Sequence, residues 1–294
     1  MKIRISALTD TGKERSNNED AFVICPNLLD QIWDQEETSS YIPLGELGTL
    51  LVVADGMGGE NAGEVASSEA IKTIKGHFDI NSLENISKTE SGICEFMNTV
   101  LMCANEAICE KMKENPDTDG MGTTIVVCWV INETAYIAWC GDSRCYLYNP
   151  HNGLKQITKD HSYVQELIDN GEITEEEAFD HPDSNIITNY IGEPDSITIP
   201  GFISYPIEPN DYLLLCSDGL SGLCKFEQIE RVMNKYYYEL NECRDNLLQL
   251  ALNAGGSDNI TIVLASFISN SQKCPATISF FSTISDSLKR FFYK

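Results

Sequence analysis

An α+β fold, with sheets packed together and helices outside them, is the class this sequence predicts. Two observations carry the prediction. Apolar periodicity switches between two and three-to-four along the chain, giving strands, two helices, strands, two helices and a strand. That order lacks the strict strand–helix alternation of a parallel sheet. Residues 122–140 also read as a strand–turn–strand hairpin, so antiparallel pairing is expected.

Each element has its own signal. Residues 1–9 alternate well enough for a strand, and 26–48 form an irregular, partly acidic connection to a strand at 49–54. A helix is expected after the glycines of DGMGG (55–59), with Ala62, Val65, Ala66, Ala70 and Ile74 on one face. The clearest helix is 92–114, where Ile93, Phe96, Met97, Val100, Leu101, Ala104, Ile108 and Met112 recur at steps of three and four. Pro116 ends it. TTIVVCWVI, a two-residue turn at Asn132–Glu133, and TAYIAWC make the hairpin. Strands at 144–149 and 153–158 precede a polar, charge-rich segment, 160–192, with a short helix in SYVQELIDNG. A strand at 211–216, helices near 226–238 and 243–253, and a strand at 259–268 complete the body. The end, 270–294, reads as a tail in which Ile278, Phe281, Leu288 and Phe292 would share one side of a short amphipathic helix. Docking on its own domain, or fraying, is the favoured expectation for it over a membrane contact.

Composition excludes several functions. Hydrophobic residues make up 42% and charged residues 22%, the balance of a soluble globular chain. Forty-five acidic against 20 basic residues leave a formal charge of −25, which argues against a nucleic-acid surface. The 11 cysteines include no C-x-x-C pair, and the start, MKIRISALTD, has no apolar leader; both point to a reducing cytoplasm. The four histidines show no zinc spacing, so any metal site must be rich in oxygen.

Four aspartates stand out against that background. Residues 212–219 (YLLLCSDG), 50–56 (LLVVADG) and 136–144 (YIAWCGDSR) run from apolar strand to Asp, and DNITIVLA (258–265) opens a strand with one. Any one of them is ordinary turn chemistry. Jointly, Asp55, Asp142, Asp218 and Asp258 would place carboxylates at the rim of a core, where their mutual repulsion calls for cations. Mg²⁺ or Mn²⁺ suits such ligands, and two ions sharing a carboxylate can promote phosphoryl hydrolysis. Competing motifs fail. DTDG (117–120) follows polar KMKENP, not a buried strand. An EF-hand reading from Asn115 puts Val126 where a bidentate Glu is required, and no phosphate-binding P-loop is present.

Residues 10–20, DTGKERSNNED, contain G-x-x-R-x-x-N-E-D. Behind them follow DGMGG (55–59), MGTT (121–124), GDSR (141–144), SDGLS (217–221) and GGSDNIT (255–261). This ordered set resembles the metal-dependent serine/threonine protein phosphatases of type 2C, above all the compact bacterial members. The resemblance covers roughly residues 1–268, leaving 269–294 as a tail and 160–192 as a flap. It implies a central antiparallel β-sandwich flanked by helix pairs, in four layers α-β-β-α. By position, Asp55 would bridge two Mn²⁺ or Mg²⁺ ions and the Gly56 carbonyl would bind one. Asp218 and Asp258 would complete a shell, and Glu19 and Asp20 would bind directly or through water. Asp142, with Asp218, would hold a third, weaker ion, and Arg15 would grip the substrate phosphate.

The implied reaction is single-step hydrolysis of phosphoserine and phosphothreonine in proteins by a metal-bridged hydroxide, opposing a Ser/Thr kinase. The implied protein is a cytoplasmic monomer without nucleic-acid or membrane partners. Two alternatives remain: a silent binding protein with this fold, or a phosphatase of small phosphoesters. Met57 stands where animal members carry an imidazole and cannot donate a proton, which leaves His161 and His181 of the flap as candidate donors. Bacterial relatives commonly have Arg at Asn189.

Overall fold

All ten residues of Gly122–Ile131 are buried, which a strand achieves only when both of its faces are covered. The computed structural model, which describes residues 1–33, 36–58, 62–194 and 199–271, shows what covers them. In chain order the strands are β1 (Lys2–Asp10), β2 (Asp20–Cys25), β3 (Ile42–Pro43), β4 (Thr49–Met57), β5 (Gly122–Ile131), β6 (Thr134–Cys140), β7 (Arg144–Asn149), β8 (Gly153–Gln156), β9 (Gly201–Pro206), β10 (Tyr212–Cys216) and β11 (Ile260–Ile268). The helices are α1 (Ala62–His77), α2 (Ile80–Asn85), α3 (Glu90–Glu114), α4 (Tyr163–Asp169), α5 (Glu175–Phe179), α6 (Asp218–Ser221), α7 (Phe226–Tyr236) and α8 (Leu240–Asn253).

Two antiparallel sheets result, ordered β3-β1-β11-β10-β7-β8 and β2-β4-β5-β6-β9. Ile5, Val53, Val126 and Val263 fill the space between them. The outer face of the five-stranded sheet packs Val52, Ile125 and Trp129 against Ala66, Ile74, Leu101 and Ile108 of α1 and α3. The other outer face packs Tyr146, Leu214 and Leu264 against Ile229, Met233 and Leu247 of α7 and α8. This is the expected α+β sandwich in four layers. The apolar runs of β4, β5, β10 and β11 are continuous because these strands have a helix layer on one side and a sheet on the other.

The structure departs from the sequence reading in places. Strands β2 and β9 and helix α2 were not anticipated, and β8 stops at Gln156. Val65 is 38% exposed, one step off the buried face of α1. β4 continues through Asp55 to Met57, so Asp55 lies within a strand. The amphipathic helix expected in the tail lies outside the described residues. Among the described residues no helix is long and apolar enough to cross a membrane, and the cysteines are free thiols.

Strand register brings the aspartates together. Asp20 opens β2 directly opposite Asp55, and Asp55 lies opposite Thr124 of β5. In the other sheet, Cys216 at the end of β10 lies opposite Ile262, and Ile260 lies opposite Asp10. Asp142, Asp218 and Asp258 extend from the same end of these strands.

Candidate active site

Each carboxylate at this end is set by its neighbours. The Ser217 hydroxyl donates to Asp20 Oδ2 at 2.7 Å and accepts from the Thr261 N–H at 3.0 Å, joining the two sheets. The Thr123 hydroxyl donates to the Asp55 carbonyl at 2.9 Å. Ser143, beside Asp142, shares a hydrogen bond of 2.7 Å with the Thr124 hydroxyl. Asp258 Oδ1 accepts the Asn259 N–H at 2.8 Å, and its Oδ2 accepts Arg15 Nη2 at 2.8 Å.

The segment bearing Arg15 and Glu19 is held from a distance. Asn259 Oδ1 accepts the Glu19 N–H at 2.8 Å, while its Nδ2 donates to the Thr11 and Asn17 carbonyls at 3.0 and 2.9 Å. The Glu19 carbonyl accepts the Gly56 N–H at 3.2 Å and the Ser67 hydroxyl at 2.6 Å. Glycine at 56 is required by this close approach. A Cβ there would run into the Gly63 carbonyl at the start of α1 and lie 2.7 Å from the Glu19 carbonyl.

Burial and repulsion shape the electrostatics. Burial pushes the Asp20 carboxyl up to about 7 against the hydrogen bonds of Thr261 and Ser217. Burial, then the nearby Asp218, pushes Asp142 up to about 8. Asp55 rises well above its ordinary value through burial and the charges of Asp20, Asp218 and Asp142. Asp218 rises through burial and Asp258. Arg15 is raised, chiefly by its hydrogen bond to Asp258, and also feels Glu19 and Asp218. These couplings place Arg15, Glu19, Asp20, Asp55, Asp142, Asp218 and Asp258, with Gly56, in one neighbourhood.

One oxygen each of Asp20, Asp142 and Asp218 is buried with no hydrogen-bond partner. Buried anionic oxygens without donors are costly, and hard divalent cations are the partners that such oxygens fit. Among the described residues, no three His, Cys, Asp or Glu side chains form a closed cage as they stand. Asp55 and Asp218 lie within hydrogen-bond reach of each other, and Asp258 is occupied by Arg15. The donor set therefore fits divalent ions by charge, burial and unmet oxygens, and its carboxylates would have to turn inward to enclose them.

The flap histidines are already engaged. Nδ1 of His161 accepts the Gly141 N–H at 3.3 Å, and Nδ1 of His181 accepts the Asp183 N–H at 3.2 Å. Burial lowers the His161 value. With Nδ1 accepting, each neutral ring carries its proton on Nε2. Ser217 and Asn259 carry structural duties that the sequence reading did not assign; their only signal was adjacency to the strand-end aspartates.

The sequence and the fold have counterparts among known proteins. A family model described as "Protein phosphatase 2C" matches residues 7–167. The serine/threonine phosphatase stp of Listeria monocytogenes serotype 4b (strain F2365) is 34% identical over 256 residues, covering 87% of this chain and 92% of its own. The crystal structure of the serine/threonine phosphatase Stp1 from Staphylococcus aureus matches with a TM-score of 0.76 at 36% identity, over 90% of this chain and 95% of that one. The catalytic domain of the serine/threonine protein phosphatase PstP, solved in complex with two manganese ions, matches with a TM-score of 0.72 at 31% identity, over 91% of this chain and 99% of that one. On the family model, and on relatives matched over most of both chains, this chain belongs to the protein phosphatase 2C family.

Proposed function

We infer that this protein is a metal-dependent serine/threonine protein phosphatase, hydrolysing phosphoserine and phosphothreonine in proteins. The observation that carries the reading is the buried aspartate set with unmet oxygens at one end of the sandwich, beside a half-exposed Arg15. Asp20, Asp55, Asp218, Asp258 and the Gly56 carbonyl would hold two ions, Mn²⁺ or Mg²⁺, with Glu19 nearby. Asp142, with Asp218, would hold a third. When bound, such ions supply compensation for the carboxylate charge and Lewis acidity toward the phosphoryl group.

The chain's own residues do the rest. Ser217 holds one oxygen of Asp20 and leaves the other unmet. Asn259 fixes the backbone on either side of Arg15 and Glu19. Arg15 bonds Asp258 through one nitrogen, which leaves other donors of its planar fork for phosphate oxygens. Phosphoproteins are then the substrates and a Ser/Thr kinase the opposing activity, for a monomer acting in the cytoplasm through a domain spanning 1–268.

The test is phosphate release from a phosphothreonine peptide in Mn²⁺. Wild-type protein should turn over, and Asp55→Asn or Asp218→Asn should lose about a thousandfold, roughly 4 kcal/mol of barrier, while keeping a folded circular-dichroism spectrum. A metal-saturated wild-type protein without activity would overturn the reading.

A further inference from the structure

The flap segment, 160–192, is fastened to the sandwich at both ends. At its start, partly buried Arg144 grips Asp160 through Nε at 3.0 Å and Nη2 at 2.6 Å. At its end, Ile191 exchanges backbone hydrogen bonds with Thr123 at 2.8 and 2.9 Å, and the Gly192 N–H donates to Asn105 Oδ1 at 2.7 Å. A third fastening links these two. Nδ1 of His161 stands 3.3 Å from the Gly141 nitrogen and 3.1 Å from Asn189 Nδ2, which also donates to the Ile199 carbonyl at 2.8 Å.

One of the donors to Nδ1 is a backbone N–H, so that nitrogen must carry its lone pair whichever way the Asn189 amide is turned. Backbone bonds add to the contact, His161 N–H to the Gly141 carbonyl at 3.0 Å and Thr188 N–H to the His161 carbonyl at 2.9 Å. The ring itself lies over Trp139, centroids 6.0 Å apart and planes 20° from parallel. Gly141 directly precedes Asp142. A single ring nitrogen therefore joins both ends of the flap to the turn that carries one of the candidate ligands. Along the flap, Tyr163 and Ile186 are 38% and 46% exposed and adjacent, the Tyr163 N–H bonding the Ile186 carbonyl at 2.9 Å. They give the flap an exposed apolar pair.

We propose that His161, through its Nδ1 acceptor, and Asn189 are positioning residues that hold the flap over the Gly141–Ser143 turn and so govern how a phosphorylated peptide chain is received. A small aryl phosphate needs only the carboxylate and Arg15 centre, whereas a peptide must also lie along the flap. The proposal rests on the phosphatase reading and makes an asymmetric prediction about substrates.

The experiment compares KM and kcat on a phosphothreonine peptide and on p-nitrophenyl phosphate in saturating Mn²⁺. His161→Phe keeps a ring for Trp139 and deletes the acceptor; His161→Asn keeps an acceptor near Nδ1 and deletes the ring. The first should raise the peptide KM about tenfold, the loss expected for two neutral hydrogen bonds, with p-nitrophenyl phosphate kinetics within about twofold. His161→Asn should stay within about threefold on both substrates. Asn189→Ala, at a half-exposed position, should reproduce the His161→Phe effect, and the double variant should be no worse than either single one. Unchanged peptide kinetics in an active enzyme, or a His161→Asn more damaged than His161→Phe, would overturn the proposal alone. Wild-type protein inactive on both substrates would sink the phosphatase reading and the proposal with it.

Discussion

Ser217 illustrates how much of a site is decided by residues that do no chemistry. Its hydroxyl gives its hydrogen to Asp20 and receives the Thr261 N–H, so one small side chain serves a carboxylate in one sheet and the backbone of the other. Ser217→Ala would take the hydroxyl donor from Asp20 Oδ2 and leave the buried Thr261 N–H without an acceptor. We expect a loss of about 1–3 kcal/mol in urea unfolding at neutral pH without metal, and a higher Mn²⁺ concentration for half-maximal activity. A variant with an unchanged midpoint and unchanged metal dependence would refute that role. The aspartates themselves were legible because a charge at the end of an apolar run is a conspicuous cost. Ser217 and Asn259 were not, since a short polar residue beside Asp reads equally well as turn chemistry. Their partners are supplied only by folding, 197 residues away for the Ser217–Asp20 bond and 240 for Asn259–Glu19.

Helix α1 meets strand β4 through glycines, and the same helix contains a glycine that meets nothing. A Cβ at Gly56 would collide with the Gly63 carbonyl, and one at Gly63 would lie 2.7 Å from Glu19 Oε2 and 2.8 Å from the Gly56 carbonyl carbon. At Gly76 a Cβ would have no neighbour within 4 Å. Opposite outcomes are expected from the same substitution. Gly56→Ala should cost about 1–3 kcal/mol or more and weaken metal binding by displacing its own carbonyl. Gly76→Ala should gain up to about 1 kcal/mol from helix propensity. Thermal melts of the two variants, with Mn²⁺ calorimetry on the first, check the pair; equal effects would mean that the close approach is not a constraint. Elements were legible in proportion to their regularity. Helix α3 and the β5–β6 hairpin showed sustained periodicity and are found where expected. Strand β9 is half-exposed along its length, and β2 begins on the last residue of the polar run NNED, so neither offered a clean alternation. The flap's attachment at Thr123 and Ile191 is a contact between distant segments, which no local pattern encodes.

At the scale of the molecule, a chain with a formal charge of −25 has gathered buried carboxylates at one end of its sandwich, and that makes stability depend on protons and metal together. Burial pushes Asp20 up to about 7 and Asp142 up to about 8, above the ordinary carboxylate value near 4. A carboxyl raised on folding binds its proton more tightly in the folded state. Its contribution is therefore fully present below the unfolded value and is lost as pH rises through the folded one. Metal-free protein should accordingly lose stability progressively from about pH 4 to about pH 8, and little further above that. His161, whose value burial lowers, opposes this trend only toward the acidic end, where it would have to charge. The fall in Tm should amount to several degrees, since about 1 kcal/mol corresponds to roughly 2–4 °C in a domain of this size. Divalent cations compete with protons for the same oxygens and bind the deprotonated set, so their stabilising effect should grow over the same interval. Melts in EDTA and in saturating Mn²⁺ should thus diverge as pH rises, the EDTA series falling and the Mn²⁺ series holding level or rising. Parallel slopes in the two series would show that the buried aspartates are not where protons and metal exchange, and would remove the physical basis for assigning the metal to them.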